Sequence, residues 1–442
     1  MLLEFKVSNY RSIGEEQTIS LIPASKLKEQ EDLISQGNIL QSGKHRALNV
    51  IALYGPNGGG KSNILKAMNL LDRLIHISAK ANSQTPLPYD PFLLRDGWES
   101  KPTMFEISFI VEENRYRYGI EYKKGAIEKE WLFRKVMGRE VVLFEREGEI
   151  IDVSSGYNGV KKIIDIAVEA TRDNALFLST CDLLNVEEAK TIMKWFANFR
   201  MVDGVDTDRE EFQTIGLWET DELRKLLKTY LTSIELGILD IEAATKDFDI
   251  EDLPQGMPES IRSKLEITLK GSKKTDFLAK HITYNSTGKA TKQTKSWKWE
   301  DRESSGSNKM LHLSGPLIWT LNMGGVLIID EIEAKLHPVL TQNIINLFFN
   351  KKWNKASGQL IFATHDTNLL TYSKLGRDQI CFAEKNNWES TEVFALSEFV
   401  YMDAKNGTFK KGIERPDLDK EKRYFEGRYG AIPVIENLEL LR

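Results

Sequence analysis

Gly55-Pro56-Asn57-Gly58-Gly59-Gly60-Lys61-Ser62 is a complete GxxxxGK[ST] phosphate loop. The residues on either side supply the setting that such a loop requires. Before it, Leu48-Asn49-Val50-Ile51-Ala52-Leu53-Tyr54 is an almost unbroken apolar run, the pattern of a strand buried on both faces in a parallel sheet. After it, Ile64, Leu65, Met68, Leu71 and Ile75 recur at helical spacing. Glycines let the backbone curl until its N–H groups point at a β-phosphate, and the N-terminus of the following helix adds partial positive charge. Lys61 is expected to reach the β- and γ-phosphates of ATP, and the Ser62 hydroxyl to bind Mg²⁺. A glycine-rich turn that matched by chance would lack the strand and the helix.

Three further segments extend the chemistry. Ile328-Ile329-Asp330-Glu331 closes a second apolar run, Gly325 to Asp330, as a Walker B element does. Asp330 would hold the Mg²⁺ shell and Glu331 would polarise the attacking water. A DE pair at a strand end is common, and the phosphate loop is what gives this one meaning. A third run, Gln359 to Thr364, ends in His365-Asp366, which sets an imidazole at the sheet edge where α/β folds bind ligands. That histidine is either structural or a γ-phosphate contact, and its position and order favour the contact. Glu303-Ser304-Ser305-Gly306-Ser307 precedes a helix beginning near Asn308. It reads by itself as an ordinary N-cap; lying just before the DE pair, it has the place of a signature motif.

These elements, in this order, resemble the ABC-type ATPases related to SMC, RecF and the OLD family. The chain looks most like the RloA/AbiLii group of bacterial phage-defence ATPases, to which the ATPase subunits of the Septu and PARIS systems are related. The resemblance is carried by Phe5 to Ser12, by the phosphate loop through Asn63, and by Glu303 to Ser307. Asp330 to Glu333 with Leu336-His337-Pro338, Thr364 to Asn368, and Gly427 to Pro433 complete it. It implies two ATP molecules held between the subunits of a head-to-tail homodimer, or of a higher homo-oligomer. The phosphate loop of one subunit would face Ser304 and Gly306 of the other, and Arg11 would match the basic residue near the α-phosphate, with an exposed structural arginine as the rival reading. The motif departs from the ABC consensus at Ser305 and Ser307, where Gly and Gln are usual. Gln84 is the nearest candidate for a Q-loop glutamine, with a solvated loop residue as its better reading; His337 reads as a packing or capping residue. Gly315-Pro316 should kink the signature helix.

The expected fold class is α/β: an ABC-ATPase head with a mixed or parallel phosphate-loop sheet, an antiparallel β lobe and a helical insertion. Residues 1–155 form an N-terminal lobe with the phosphate loop and short alternating strands from about Thr103 to Phe144; 156–260 are mainly helical; 261–442 form the C-terminal lobe. Within them, Asp247 to Pro258 reads as a solvated acidic loop, and Leu265–Leu269 and His281–Tyr284 as strands. Net charge is −5 from 60 basic and 65 acidic residues, which advertises no nucleic-acid surface. Lys289, Lys292, Lys295 and Lys298 with Trp297 and Trp299 are a candidate DNA patch or, by the better reading, a solvated hairpin. Cys181 and Cys381 form no CxxC pair and read as thiols in a reducing compartment. With neither a signal-peptide run nor a membrane-length apolar stretch, a cytoplasmic protein is expected.

From Lys61 to Asp330 the chain advances 269 positions, too few for the long coiled coil of a repair or condensin-type ATPase. Fewer than 80 residues follow His365, too few for an appended Toprim nuclease. The expectation is therefore an ATPase that acts as sensor and switch of a phage-defence system and controls a separately encoded effector, a nuclease or Toprim-type protein. The alternative is a RecF/SMC-like repair or recombination ATPase that binds DNA directly.

Overall fold

The computed structural model describes every residue except 25–26, 137, 208–209, 235, 254–255, 399, 403–408, 412–419 and 433–442. The chain divides into two compact units, one made of Met1–Val205 with Trp319–Arg442 and the other of Asp206–Ile318.

The first unit is built on two sheets. Six strands run in the order Phe199–Asp203, Val326–Asp330, Gln359–Ala363, Val50–Tyr54, Ile380–Lys385, Thr391–Ala395, the last antiparallel to its neighbour and the others parallel. Val50–Tyr54 and Gln359–Ala363 are buried at every position, which explains their unbroken apolar runs. Because the five parallel strands point one way, Tyr54, Asp330 and Ala363 reach the same carboxyl-end edge. The helix Lys61–Ile77 buries Ile64, Leu65, Met68, Leu71 and Ile75, the stripe read from the sequence, and Leu74 beside them. A seven-stranded antiparallel sheet in the order Ile150–Val153, Arg139–Glu147, Ile127–Val136, Asn114–Tyr122, Thr103–Val111, Leu2–Ser8, Gln17–Ser20 makes the β lobe. Its inward residues, among them Phe5, Phe105, Phe109, Tyr118 and Phe144, join one core with the helix after the phosphate loop.

Three details differ from the sequence reading. Phe199–Asp203 is a strand inside a stretch read as helical, because its Phe-Arg-Met-Val-Asp run is too short to show a period. Leu265–Leu269 belongs to the helix Glu259–Leu269, whose alternation of Leu265, Ile267 and Leu269 mimics a strand although none of its residues is buried. The acidic segment after Asp247 includes a short 3₁₀ turn, Ile250–Asp252, and residues 254–255 of that expected loop lie outside the described part.

The second unit contains the sheet Asp240–Asp247, Lys273–Tyr284, Ala290–Lys298 and the helices Glu211–Trp218 and Asp221–Ser233. The last two strands form the hairpin read at the Lys-rich segment. The helix Ser305–Met323 continues through Pro316. Proline supplies no N–H for the carbonyl four residues back, that of His312. The Thr214 hydroxyl donates to that carbonyl at 3.0 Å and to Leu311 O at 3.1 Å. Gly315 makes the approach possible: a Cβ there would stand 2.5 Å from Thr214 Oγ1 and 2.7 Å from Thr214 N. Among the described residues, no helix is long and apolar enough to cross a membrane.

Candidate functional site

The phosphate loop leaves Tyr54 and reaches its helix through three glycines with left-handed backbones, Gly55 (φ 148°), Gly58 (φ 78°) and Gly60 (φ 105°). A side chain would also be blocked at two of them. A Cβ on Gly55 would lie 2.1 Å from Ala383 O, and one on Gly60 would lie 2.0 Å from Thr391 Oγ1. Thr391 in turn donates to Gly59 O at 3.1 Å, and its backbone N–H donates to Ser12 O at 2.7 Å. The Ser12 hydroxyl lies 2.9 Å from Thr391 Oγ1 and accepts from Asn63 Nδ2 at 2.7 Å. Ser12, Asn63 and Thr391 thus brace the loop from behind.

Lys61 is buried, and its ammonium donates to Gly55 O (2.8 Å) and Pro56 O (3.1 Å). Burial lowers its pKa from the ordinary value, opposed by Asp330, Glu333 and Glu331. The carboxylates that face it come from the strand beyond Gln359–Ala363: Asp330 ends Val326–Asp330 and Glu331 follows with a left-handed backbone, φ 50°. A non-glycine residue held there is a strained turn of the kind found at functional sites. Gly204 makes that turn possible. Its N–H donates to Asp330 O at 2.8 Å, and a Cβ on it would come within 2.4 Å of Asp330 O and 2.2 Å of Glu331 O.

Glu333 serves the histidine, its Oε1 accepting from the His365 backbone N–H at 2.6 Å. Burial and then the nearby Lys61 charge lower the His365 pKa, which favours the neutral ring. A cavity of about 360 Å³ is lined by Pro56, Asn57, Gly58, Gly60, Lys61, Ser62, Asn63, Asp330, Glu331 and His365. A second cavity of about 1160 Å³ shares Pro56, Asn57, Gly58, Glu331 and His365 with it and adds Gly55, Gly59, Glu384, Tyr424, Phe425 and Ile432. Hence the loop, the DE pair and the histidine face one space. Asp330 Oδ1 is buried there with no hydrogen-bond partner among the described residues, the condition expected of a carboxylate oxygen suited to a cation shell. With Ser62 on the same wall, these residues fit a hard divalent ion beside a triphosphate.

Other predicted residues stand elsewhere. Arg11 lines neither cavity; its Nε pairs with Asp90 Oδ2 at 2.9 Å and its backbone N–H donates to Asp90 O at 2.7 Å, which suits the structural reading. Gln84 is exposed in a loop, and His337 caps its helix by accepting from Val339 N–H at 3.3 Å. In the second unit Ser304 caps the helix Ser305–Met323: its Oγ accepts from Ser307 N–H at 3.1 Å and lies 2.9 Å from Ser307 Oγ. Gly306 lies in the first turn of that helix. Glu303 is held from two sides, by Trp297 Nε1 at 2.8 Å and His281 Nε2 at 2.9 Å, with the Trp297 and His281 rings stacked at 4.2 Å. Pro433, the last residue of the C-terminal match, lies outside the described part.

Sequence reading assigned no role to Ser12, Gly204, Glu333 or Thr391. Gly204, an isolated glycine at a strand end, carried a signal. Thr391 carried none, being an edge-strand threonine more than 300 positions from the loop it braces.

Similar solved structures include the SMC head domain from Thermotoga maritima, with 12% identity, a TM-score of 0.40 and coverage of 89% of this chain and 98% of that one. An SmcHead bound to the C-winged helix domain of ScpA gives 14%, 0.41, 89% and 97%. The recombination mediator protein RecF-ATPrS of the RecFOR pathway gives 13%, 0.36, 89% and 98%. No curated protein matches the sequence. The family model described as "AAA domain, putative AbiEii toxin, Type IV TA system" matches residues 50–157 and 202–371, which include the phosphate loop, the DE pair and His365. Since that match takes in well over half of the sequence, the chain belongs to this AAA-domain family and is an ATPase of the P-loop class.

Proposed function

We propose that the protein is an ABC-type ATPase whose Mg²⁺-dependent site is completed by a second copy of the chain, and that it serves as the sensor and switch subunit of an anti-phage system with a separate effector. The observation that carries the hydrolytic reading is the meeting of Lys61, Ser62, Asp330, Glu331 and His365 on one cavity. Lys61 exchanges its two loop carbonyls for β- and γ-phosphate oxygens. Glu331 orients the attacking water and takes its proton, and neutral His365 supports the γ-phosphate from the next strand. Ser62 and Asp330 would hold Mg²⁺, which would supply charge neutralisation on the phosphates. In the partner, Ser304 and Gly306 would present a capped helix start to the same phosphate.

Lys61→Ala should weaken ATP binding at least ~10-fold, the worth of a charged hydrogen bond. Glu331→Gln should keep binding and slow turnover by about 10²–10⁴-fold, because only the general base is lost. Equilibrium binding and steady-state hydrolysis would separate the two. Unchanged affinity in the first variant, or normal turnover in the second, rejects the site. The defence role is tested by the flanking genes, which should encode an effector whose activity responds to the ATPase.

A second reading, an ATPase that binds DNA directly as in the RecF/SMC class, has the exposed Lys289, Lys292 and Lys295 in its favour. Of the two aromatics such a patch would use, Trp297 is stacked on His281 and bonded to Glu303, and Trp299 is buried. Salt-dependent duplex binding lost on changing these lysines to glutamine would establish that reading.

A further inference from the structure

In the second unit three side chains that the ATP reaction does not use come together. Glu211 opens the helix Glu211–Trp218, Glu300 lies in the short helix Trp299–Arg302, and His312 lies in Ser305–Met323. A carboxylate oxygen from each glutamate and a ring nitrogen of the histidine all lie within 4.8 Å of one another. His312 is buried, Glu211 half-buried and Glu300 exposed, so the cluster has an inner wall and a mouth open to solvent. Thr207 Oγ1 sits 3.4 Å from His312 Nδ1. Lys298 stands at the rim, 3.1 Å from Asp276 Oδ1 and 3.4 Å from Glu300 Oε2.

We propose that Glu211, Glu300 and His312 form a binding site for a first-row divalent transition ion of the zinc or manganese class. One imidazole with two carboxylates is a mixed nitrogen–oxygen donor set, which suits such ions better than calcium or magnesium, whose ligands are oxygens. Bonds of about 2.0–2.2 Å set three donors around one ion about 3.3–3.8 Å apart, so atoms that now lie within 4.8 Å of one another need to close by about an ångström, within reach of two flexible glutamates. In the proposed site Nδ1–H donates to the Thr207 hydroxyl and leaves Nε2 to ligate, the usual support for a ligating histidine. Lys298 is the built-in rival, holding Glu300 when the ion is absent. Glu300 precedes Ser304 and His312 follows it, so the ion would tie together the helices on both sides of the turn that Ser304 caps. This site stands independently of the proposed reaction.

The test uses the full chain freed of nucleotide, titrated with Zn²⁺ by calorimetry and with Co²⁺ followed by its visible absorption. One ion per chain is expected. Glu211→Gln and Glu300→Gln should each lower the affinity at least ~10-fold while leaving the unfolding profile of the metal-free protein cooperative. Asp330→Asn should bind the ion like the parent, which separates this site from the phosphate loop. Absence of stoichiometric binding, parental affinity in both glutamine variants, or loss of the ion in Asp330→Asn would overturn the proposal.

Discussion

Gly60 shows how tightly single residues govern the phosphate site. Its backbone is left-handed, and the space a side chain would take is filled by Thr391, itself bonded to Gly59 O and beside Ser12. Alanine at this position therefore meets a steric and a conformational obstacle at once. Gly60→Ala is expected to cost about 1–3 kcal/mol of stability, measured by denaturant unfolding, and to abolish tight ATP binding in a fluorescence titration. If the variant unfolds and binds like the parent, the brace has no role. The glycines were legible in the sequence because a phosphate loop announces itself by spacing. Thr391 was not, because only the sheet brings it to the loop. The same holds for Glu331: its identity was readable, but the strained backbone that aims it depends on Gly204 lying against it.

At the scale of the element, the signature helix carries a proline that ought to interrupt it. The repair comes from another helix, through the Thr214 hydroxyl on the carbonyls of Leu311 and His312. Thr214→Val keeps the shape and removes the donor, so it should destabilise the protein by about 1–3 kcal/mol. Adding Pro316→Ala restores an N–H for the His312 carbonyl, and the cost of Thr214→Val should shrink in that background. A double-mutant cycle from unfolding curves reads this coupling, and strict additivity would show that the hydroxyl does not serve the proline gap. The buried strands of the six-stranded sheet were legible as apolar runs, and the helix after the phosphate loop as a stripe. Phe199–Asp203 and Glu259–Leu269 were not: one is too short to display a period, and the other is polar enough on all sides that its apolar residues fall in step with a strand.

For the whole molecule, the proposed shared site makes a claim about mixtures. A Ser304→Arg subunit keeps its own phosphate loop but places a bulky cation where it would cap the partner's γ-phosphate. A Lys61→Ala subunit has the opposite defect. Each alone should be nearly inactive, and mixing them should restore hydrolysis through one complete site, because transition-state charge is stabilised only when donors from both sides are present. ATPase assays on titrated mixtures decide it; inactive mixtures in which mixed dimers form, or full activity of Ser304→Arg alone, reject the shared site.

The sheet order has a consequence for how the protein comes into being. Val50–Tyr54, which launches the phosphate loop, lies between Gln359–Ala363 and Ile380–Lys385. Leu2, on the first strand, is bonded in both directions to the Gln359 side chain, 357 positions on. A ribosome must therefore reach Gln359–Ala363, about 300 positions on, before the loop's own strand has a neighbour on either side. Until then its apolar run is an unpaired segment that other chains or chaperones can reach. With pairings this distant, folding should be slow, and ATP can assist only after Gln359–Ala363 has been made.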